Sequence, residues 1–313
     1  MREISLDEDT TELPIMSVLN YGDTKSGKTT WASTWPRPLI LADAVERGYE
    51  SVRTADRSTW FEPAWKPKII ALESLADLVQ LAQPGGQIDQ WIASGEVRTI
   101  VNDALSYFAE LMLNTIIQLQ TKPDNRGAYG DLGKQLRNVR TMVQAKPVSV
   151  IWNCIVKHPE EDDPRGRPLI PGKQGEAWPG SCDYVFRSQV RRQRVMVDYE
   201  EIDNDGKTKI VKRPEIQESY FMSTRQDGKY IGGSRLGTKA DLLPDPFSGT
   251  YSDLMTCLGY DVEQLRKLVK QPPKRQAVKP AAPTVAPQAP PIVITRSAPK
   301  VVTAPSQANN NKR

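Results

Sequence analysis

The sequence predicts an α/β fold: a mostly parallel sheet covered by helices, an antiparallel β extension and a disordered C-terminal tail. Three observations carry this. Apolar, β-like runs alternate with helix-like segments through the first half of the chain. A glycine-rich phosphate-loop pattern joins the first such run to the first helix. After Asp183 the pattern changes to long strand-like stretches separated by turn signals.

Ile15 to Asn20 is a short apolar run ending at Gly22, and so a buried strand. Lys28 to Trp35 reads as a short helix stopped by Pro36. Trp31 and Trp35, four apart on that helix, are expected in the core. Pro38 to Ala42, Lys68 to Leu72 and Arg98 to Asn102 read as further strands. Glu73 to Ala82 is a helix ended by Pro84-Gly85-Gly86, and Leu105 to Gln120 and Asp131 to Gln144 are two more. Val148 to Val156 is the most β-like run of all. This alternation argues for parallel strands buried under helices. Tyr184 to Tyr199 and Glu218 to Tyr230 read as strands, with turns at Asn204-Asp205-Gly206 and Asp227-Gly228. Ser252 to Val269 is a last helix. The expected organisation is an acidic segment at 1–13, one domain at 14–270 with its antiparallel part at about 183–240, and a tail at 271–313.

Composition narrows the chemistry. The chain has 313 residues, 38% hydrophobic and 26% charged. No apolar run approaches the roughly 18 residues of a membrane span, so no membrane partner is expected. Met1 to Leu13 is acidic and lacks the apolar stretch of a leader. Cys154, Cys182 and Cys257 lie too far apart for a zinc motif and read as reduced thiols. His158 is the sole histidine, which excludes a multi-histidine metal site. The chemistry therefore falls to carboxylates, lysine, arginine and a metal. The net charge of +4 is uneven. Residues 271–313 hold seven Lys or Arg and no acid, leaving 35 basic against 38 acidic residues, about -3, in the rest. That segment also holds 9 of the 25 prolines and no aromatic residue, the composition of a flexible extension.

Gly22-Asp23-Thr24-Lys25-Ser26-Gly27-Lys28-Thr29 matches G-x-x-x-x-G-K-[ST] in full. The glycines let the backbone wrap a phosphate with its N–H groups exposed, and the following helix aims its positive dipole end at the same phosphate. Lys28 is expected on the β- and γ-phosphates, the Thr29 hydroxyl on Mg²⁺, and Thr30 next to them in the nucleotide site. ATP with Mg²⁺ is the expected ligand. Thr99-Ile100-Val101-Asn102-Asp103 offers a strand-end carboxylate for the metal side, Asp103, although Asn102 interrupts the apolar run. Hydrolysis also needs a carboxylate to polarise water. Asp43 and Glu46 follow the second strand; Glu46 is preferred and Asp43 is the alternative. Asn153, inside the strongest strand, needs a polar partner, and the γ-phosphate or attacking water suits it.

The succession G-D-T-K-S-G-K-T, L-I-L-A-D-A-V-E-R-G, T-I-V-N-D, R-G-A-Y-G-D-L-G, P-V-S-V-I-W-N-C, P-L-I-P-G-K and C-D-Y-V-F-R resembles the phage RecA-like P-loop ATPases. These are phage nucleotide-binding proteins of the single-strand-annealing recombinase type, and the resemblance spans about residues 14–240. It implies a RecA-like core and Mg-ATP hydrolysis linked to single-stranded DNA, serving recombination, annealing or repair. It places Lys28, Thr29 and Asp103 on the family's nucleotide and metal motifs, Glu46 on an acidic E-x-G element, and Asn153 on a polar sensor. It further implies a homo-oligomer, ring or filament, a single-strand-binding protein as partner, and the host cytoplasm as the compartment.

Two loops are candidates for DNA on the same analogy. Thr121 to Gly130 carries Lys122, Arg126 and Tyr129; Lys157 to Gly180 carries Lys157, His158, Arg165, Arg167, Lys173 and Trp178. Arg187, Arg191, Arg192 and Arg194 form a basic run that suits DNA, a subunit contact or edge protection. Lys229 and Arg235 are candidates to reach a neighbouring copy's nucleotide. Two other functions compete: a P-loop nucleotide or small-molecule kinase, and an assembly factor that binds ATP without hydrolysing it.

Overall fold

The computed structural model describes residues 13–43, 47–120, 125–161, 163–202, 208–234 and 242–271. The chain divides into Met1–Lys274 and Arg275–Arg313. The acidic residues 1–12 and the basic tail from residue 272 lie outside the described residues.

In chain order the elements are β1 (Ser17–Gly22), α1 (Lys28–Ser33), β2 (Pro38–Asp43), α2 (Glu50–Thr54), β3 (Lys68–Leu72), α3 (Leu75–Ala82), α4 (Gln87–Ala93), β4 (Thr99–Asp103), α5 (Leu105–Leu119) and α6 (Asn125–Gln144). Then come β5 (Ser149–Lys157), β6 (Arg167–Pro168), α7 (Gln174–Ala177), β7 (Tyr184–Ile202), β8 (Thr208–Ser223), β9 (Gly233–Ser234), α8 (Tyr251–Cys257) and α9 (Val262–Lys270). The strands form one sheet in the order β3-β2-β4-β5-β1-β7-β8, with β6 on β5 and β9 on β7. From β3 through β7 the pairings are parallel; β7 with β8 is antiparallel. The expected α/β class, mostly parallel with an antiparallel extension, is the observed one.

Strand alternation makes two cores. Leu19, Leu41, Ile100, Val150 and Trp152 face α3, α4, α5 and α6. Val18, Ile40, Val101 and Ile151 face the opposite way, against Trp31 of α1, Trp35 just past its end, and the apolar faces of α8 and α9; α1 thus stops at Ser33, two residues short of the expected Trp35. Trp31 and Trp35 are core residues, edge to face at 5.4 Å. Tyr251 packs against Trp35 at 4.7 Å and Phe61 at 5.0 Å, so α8 holds the back of α1.

Several expected boundaries shift for identifiable reasons. The last helix is two helices. Gly259 at φ 84 breaks the run, and Asp261 restarts it by accepting hydrogen bonds from the Glu263 and Gln264 N–H groups. The strand expected at Glu218 to Tyr230 is β8, which begins at Thr208 and ends at Ser223, because it pairs residue for residue with β7 from Ile202↔Thr208 to Arg187↔Ser223. The turn expected at Asn204 to Gly206 lies outside the described residues. Helix α6 begins at Asn125, not Asp131, so Arg126 and Tyr129 stand on its first two turns instead of in a loop. The stretch from Lys157 to Gly180 is not an open loop either. It contains β6 and α7, and Trp178 is fully buried, edge-on to Trp152 at 5.0 Å.

That burial removes Trp178 from any base-stacking role and makes it structural. Trp178→Ala should destabilise the domain by about 3–5 kcal/mol, the cost of emptying a large aromatic site, measured as a drop in the urea midpoint with little change in slope.

Candidate functional site

The phosphate loop runs from the end of β1 into α1. Gly22 must lack a side chain, because a Cβ there would collide with the Ser188 carbonyl of β7. Lys25 at φ 65 and Gly27 at φ 84 take left-handed conformations, which turn the loop back on itself. Gly27 is also covered by the Tyr220 ring, which a Cβ would meet at 2.9 Å. Asp23, Thr24 and Lys25 are exposed, Ser26 is buried, and Thr29 and Thr30 are half-buried on the first turn of α1. Lys28 is buried and its Nζ donates to the Gly22 carbonyl at 3.0 Å and the Asp23 carbonyl at 2.7 Å. The ammonium thus lies in the curl of the loop.

Sheet order brings the other residues to the same place. β5 lies between β1 and β4, which sets Asn153 opposite Asn20 on one side and Asp103 on the other. Thr29 Oγ1 donates to Asp103 Oδ2 at 2.8 Å, and Asn153 Nδ2 donates to Asp103 Oδ1 at 2.9 Å. Burial pushes the Asp103 carboxyl above the usual carboxylate range; the bonds from Asn153 and Thr29 and the Lys28 charge pull it back. Asn102, the interruption in the apolar run, is buried, and neither of its amide atoms has a partner among the described residues. Lys28, Thr29, Asp103 and Asn153 therefore sit together.

The donor set suits a hard divalent cation. A hydroxyl and a carboxylate oxygen adjoin each other beside a phosphate loop, the usual partial coordination of Mg²⁺ completed by phosphate oxygens and water. Among the described residues no cluster of three or more His, Cys, Asp or Glu could hold a metal alone. Glu46 lies outside the described residues, and Asp43 ends β2 next to β4 with its side chain undescribed. Gly48, two residues after Glu46, passes over the metal-side pair: a Cβ there would lie 3.4 Å from Asp103 Oδ2 and 3.9 Å from Thr29 Oγ1.

Two features were not anticipated. His158 Nε2 contacts Asp23 Oδ1 at 2.7 Å and its Nδ1 contacts the Tyr230 hydroxyl at 3.1 Å. Register puts it there: Gly22 pairs with Ile155, so His158, three residues further along the exit of β5, falls beside the loop. The second is a buried polar row. Ser188 Oγ donates to Asn20 Oδ1 at 2.6 Å, while Asn20 Nδ2 and Asn153 Oδ1, a donor and an acceptor on register-paired residues, have no partners among the described residues.

The remaining DNA candidates divide. Lys157 pairs with Asp163 and Glu160, and Arg167 with Asp163 and Glu176, so these two cations are neutralised within their own segment. Arg165 and Lys173 are exposed. Arg187 lies 3.4 Å over Tyr230 and pairs with Asp227. Arg191, Arg192 and Arg194 are exposed on β7, with Arg192 paired to Glu218. Lys229 is exposed, and Lys122 and Arg235 lie outside the described residues.

A family model described as an AAA domain matches residues 15–236. The chain belongs to this AAA-domain family. The chain is a nucleotide-binding, P-loop ATPase-like domain, and the matched range includes Gly22–Thr29. A solved ATPase of the type III secretion system of pathogenic bacteria is similar at 13% identity and a TM-score of 0.38. The overlap covers 55% of this chain and 51% of that one, so the chain spans about half its length. No curated protein matches. Among the described residues of this AAA domain, no helix is long and apolar enough to cross a membrane.

Gly27→Ala should abolish nucleotide binding, because it forces a side chain into a left-handed residue and into the Tyr220 ring; equilibrium dialysis with ATP checks this. Asp103→Asn removes a carboxylate that costs the folded state stability as pH rises through its raised value. In metal- and nucleotide-free buffer at neutral pH it should raise the thermal midpoint, by roughly 2–4 °C per kcal/mol relieved, with the gain shrinking as pH falls.

Proposed function

We propose that this AAA domain is an Mg²⁺-dependent ATPase stimulated by single-stranded DNA, acting in phage DNA recombination, annealing or repair as a ring or filament of its own copies. The observation that carries the hydrolytic reading is the Asp103 carboxylate held between Thr29 and Asn153 beside Lys28. Thr29 and Asp103 would hold Mg²⁺, which when bound neutralises charge on the phosphates. Lys28, whose ammonium lies in the curl of the loop, would contact the β- and γ-phosphates. Asn153 would orient Asp103, and its buried Oδ1, which has no partner among the described residues, would accept a hydrogen bond from the attacking water once the site is filled. The water-polarising carboxylate would be Glu46 or, as the alternative, Asp43.

The DNA part of the reading rests on the family resemblance and on cations left accessible: Arg191 and Arg194 on β7, and Arg126 beside the exposed Tyr129 on α6. Exposed arginines next to an aromatic plane suit a flexible phosphate backbone with stackable bases. A kinase lid is less well supported, since Arg167 is committed to Asp163 and Glu176.

The test is steady-state ATP hydrolysis with and without a single-stranded oligonucleotide. DNA should raise the rate severalfold, and Lys28→Ala should lower it by about 10²–10³-fold, as expected for loss of one charge-stabilising group. Unstimulated turnover would leave a plain ATPase, phosphoryl transfer to a small acceptor a kinase, and nucleotide-driven assembly without turnover an assembly factor. Replacing Arg191, Arg192 and Arg194 with alanine should weaken DNA binding and flatten its salt dependence by about one unit of slope per lost phosphate contact.

A further inference from the structure

A row of buried polar side chains crosses four adjacent strands at the nucleotide end of the sheet. Asp103 stands on β4, Asn153 on β5, Asn20 on β1 and Ser188 on β7. All four are buried, and Asn20 and Asn153 completely so. Two residues back along the same strands, and so on the same face, stand Val101, Ile151, Val18 and Phe186, all of them in the apolar core. Asn20 therefore holds a position that its face would otherwise fill with an apolar residue. A carboxamide buried there costs free energy until its polar atoms are met.

The bonds of the row all run one way. An ionised carboxylate only accepts, so Asn153 presents Nδ2 to Asp103 Oδ1, at 2.9 Å. That leaves Oδ1 as the open atom of Asn153. At the other end Ser188 Oγ donates to Asn20 Oδ1 at 2.6 Å, which leaves Nδ2 as the open atom of Asn20. Asn20 and Asn153 are paired in register on neighbouring parallel strands. The two ends of the row fix their amides independently, yet what remains in the middle is one donor and one acceptor. Reversing either amide would set like atoms against each other. Asn153 Oδ1 has two lone pairs, so a donor from Asn20 leaves one for the attacking water.

We infer that Asn20 is a positioning residue for the Asp103 carboxylate: its Nδ2 donates to Asn153 Oδ1, so that Ser188, Asn20 and Asn153 form one directed hydrogen-bond chain ending on Asp103. The inference rests on the nucleotide reading above and adds a residue to it. Each donor in such a chain polarises the next, which strengthens the last bond. Orientation matters more. An Asn153 amide held at both ends cannot turn its carbonyl onto the carboxylate, so Asp103 keeps the setting in which Oδ2 meets Thr29. Groups that stand behind a metal's ligands tune its affinity in this way. Asn20 acts on the metal side only through Asn153.

The experiment is calorimetric binding of ADP, with and without Mg²⁺, to wild type, Asn20→Leu, Ser188→Ala, the double variant and Asp103→Ala. Asn20→Leu keeps the branched shape and loses the donor. It should lower the Mg²⁺-dependent gain in affinity by about threefold to tenfold, the range of one net hydrogen bond, and leave metal-free ADP binding unchanged. Ser188→Ala should lower the gain by about twofold, through the weakened chain alone, and cost nothing further once Asn20 is replaced. Equal weakening with and without Mg²⁺ would make Asn20 a support of the loop and overturn the inference. So would an unchanged gain, or losses that add in the double variant. If Asn20→Leu does not fold, Ser188→Ala decides, and a gain equal to wild type there overturns the chain. If Asp103→Ala keeps the gain, the metal reading itself fails; if Asp103→Ala loses it and Asn20→Leu does not, the chain alone is wrong.

Discussion

The nucleotide end of this sheet is organised around one buried carboxylate. A charge taken out of water must be met by donors at fixed positions. Asp103 meets Thr29 from a helix and Asn153 from a neighbouring strand, within the field of Lys28. Those partners come from two elements, α1 and β5, that meet on β4, so the arrangement constrains the topology. β5 must lie between β1 and β4, the strands must end level, and α1 must present Thr29 on its first turn. Right-handed parallel crossovers supply that layout, and the crevice beyond the strand ends is where such sheets bind ligands.

The opposite end of α1 is held as firmly. Trp35 contacts Tyr251, and the Tyr251 N–H donates to Thr34 Oγ1 at 3.0 Å. The helix that carries the phosphate-binding residues is thus fixed to the sheet at one end and to α8 at the other. A short helix has little stability of its own; its position comes from this packing.

What the sequence made legible follows from which constraints are local. The phosphate loop is readable because its backbone conformations at Lys25 and Gly27 and its collision at Gly22 demand particular residues at particular spacing. The strand Lys68–Leu72 is readable because its apolar run is bounded by a proline and a cap. Asp103 was recognisable as a strand-end acid, but its bond to Asn153 depends on strand order and register, which no local pattern encodes. His158 was invisible for the same reason, since its partner Asp23 is 135 residues away. Trp178 misled because a tryptophan among basic residues looks like a stacking platform, while Trp152, 26 positions earlier, supplied a buried partner. Gly259 was a local signal overlooked within an otherwise continuous helical pattern.

The strand β7 leaves β1 behind at Ser188 and continues to Ile202, paired thereafter with β8 alone. With about 3.3 Å per residue, such a ribbon extends on the order of 45 Å beyond its root. Its root is Ser188, which bonds Asn20, the residue opposite Asn153. The geometry is that of a long pointer pivoted a few residues from the buried polar row. A tilt of about 5° at the pivot displaces a tip on the order of 45 Å away by about 4 Å.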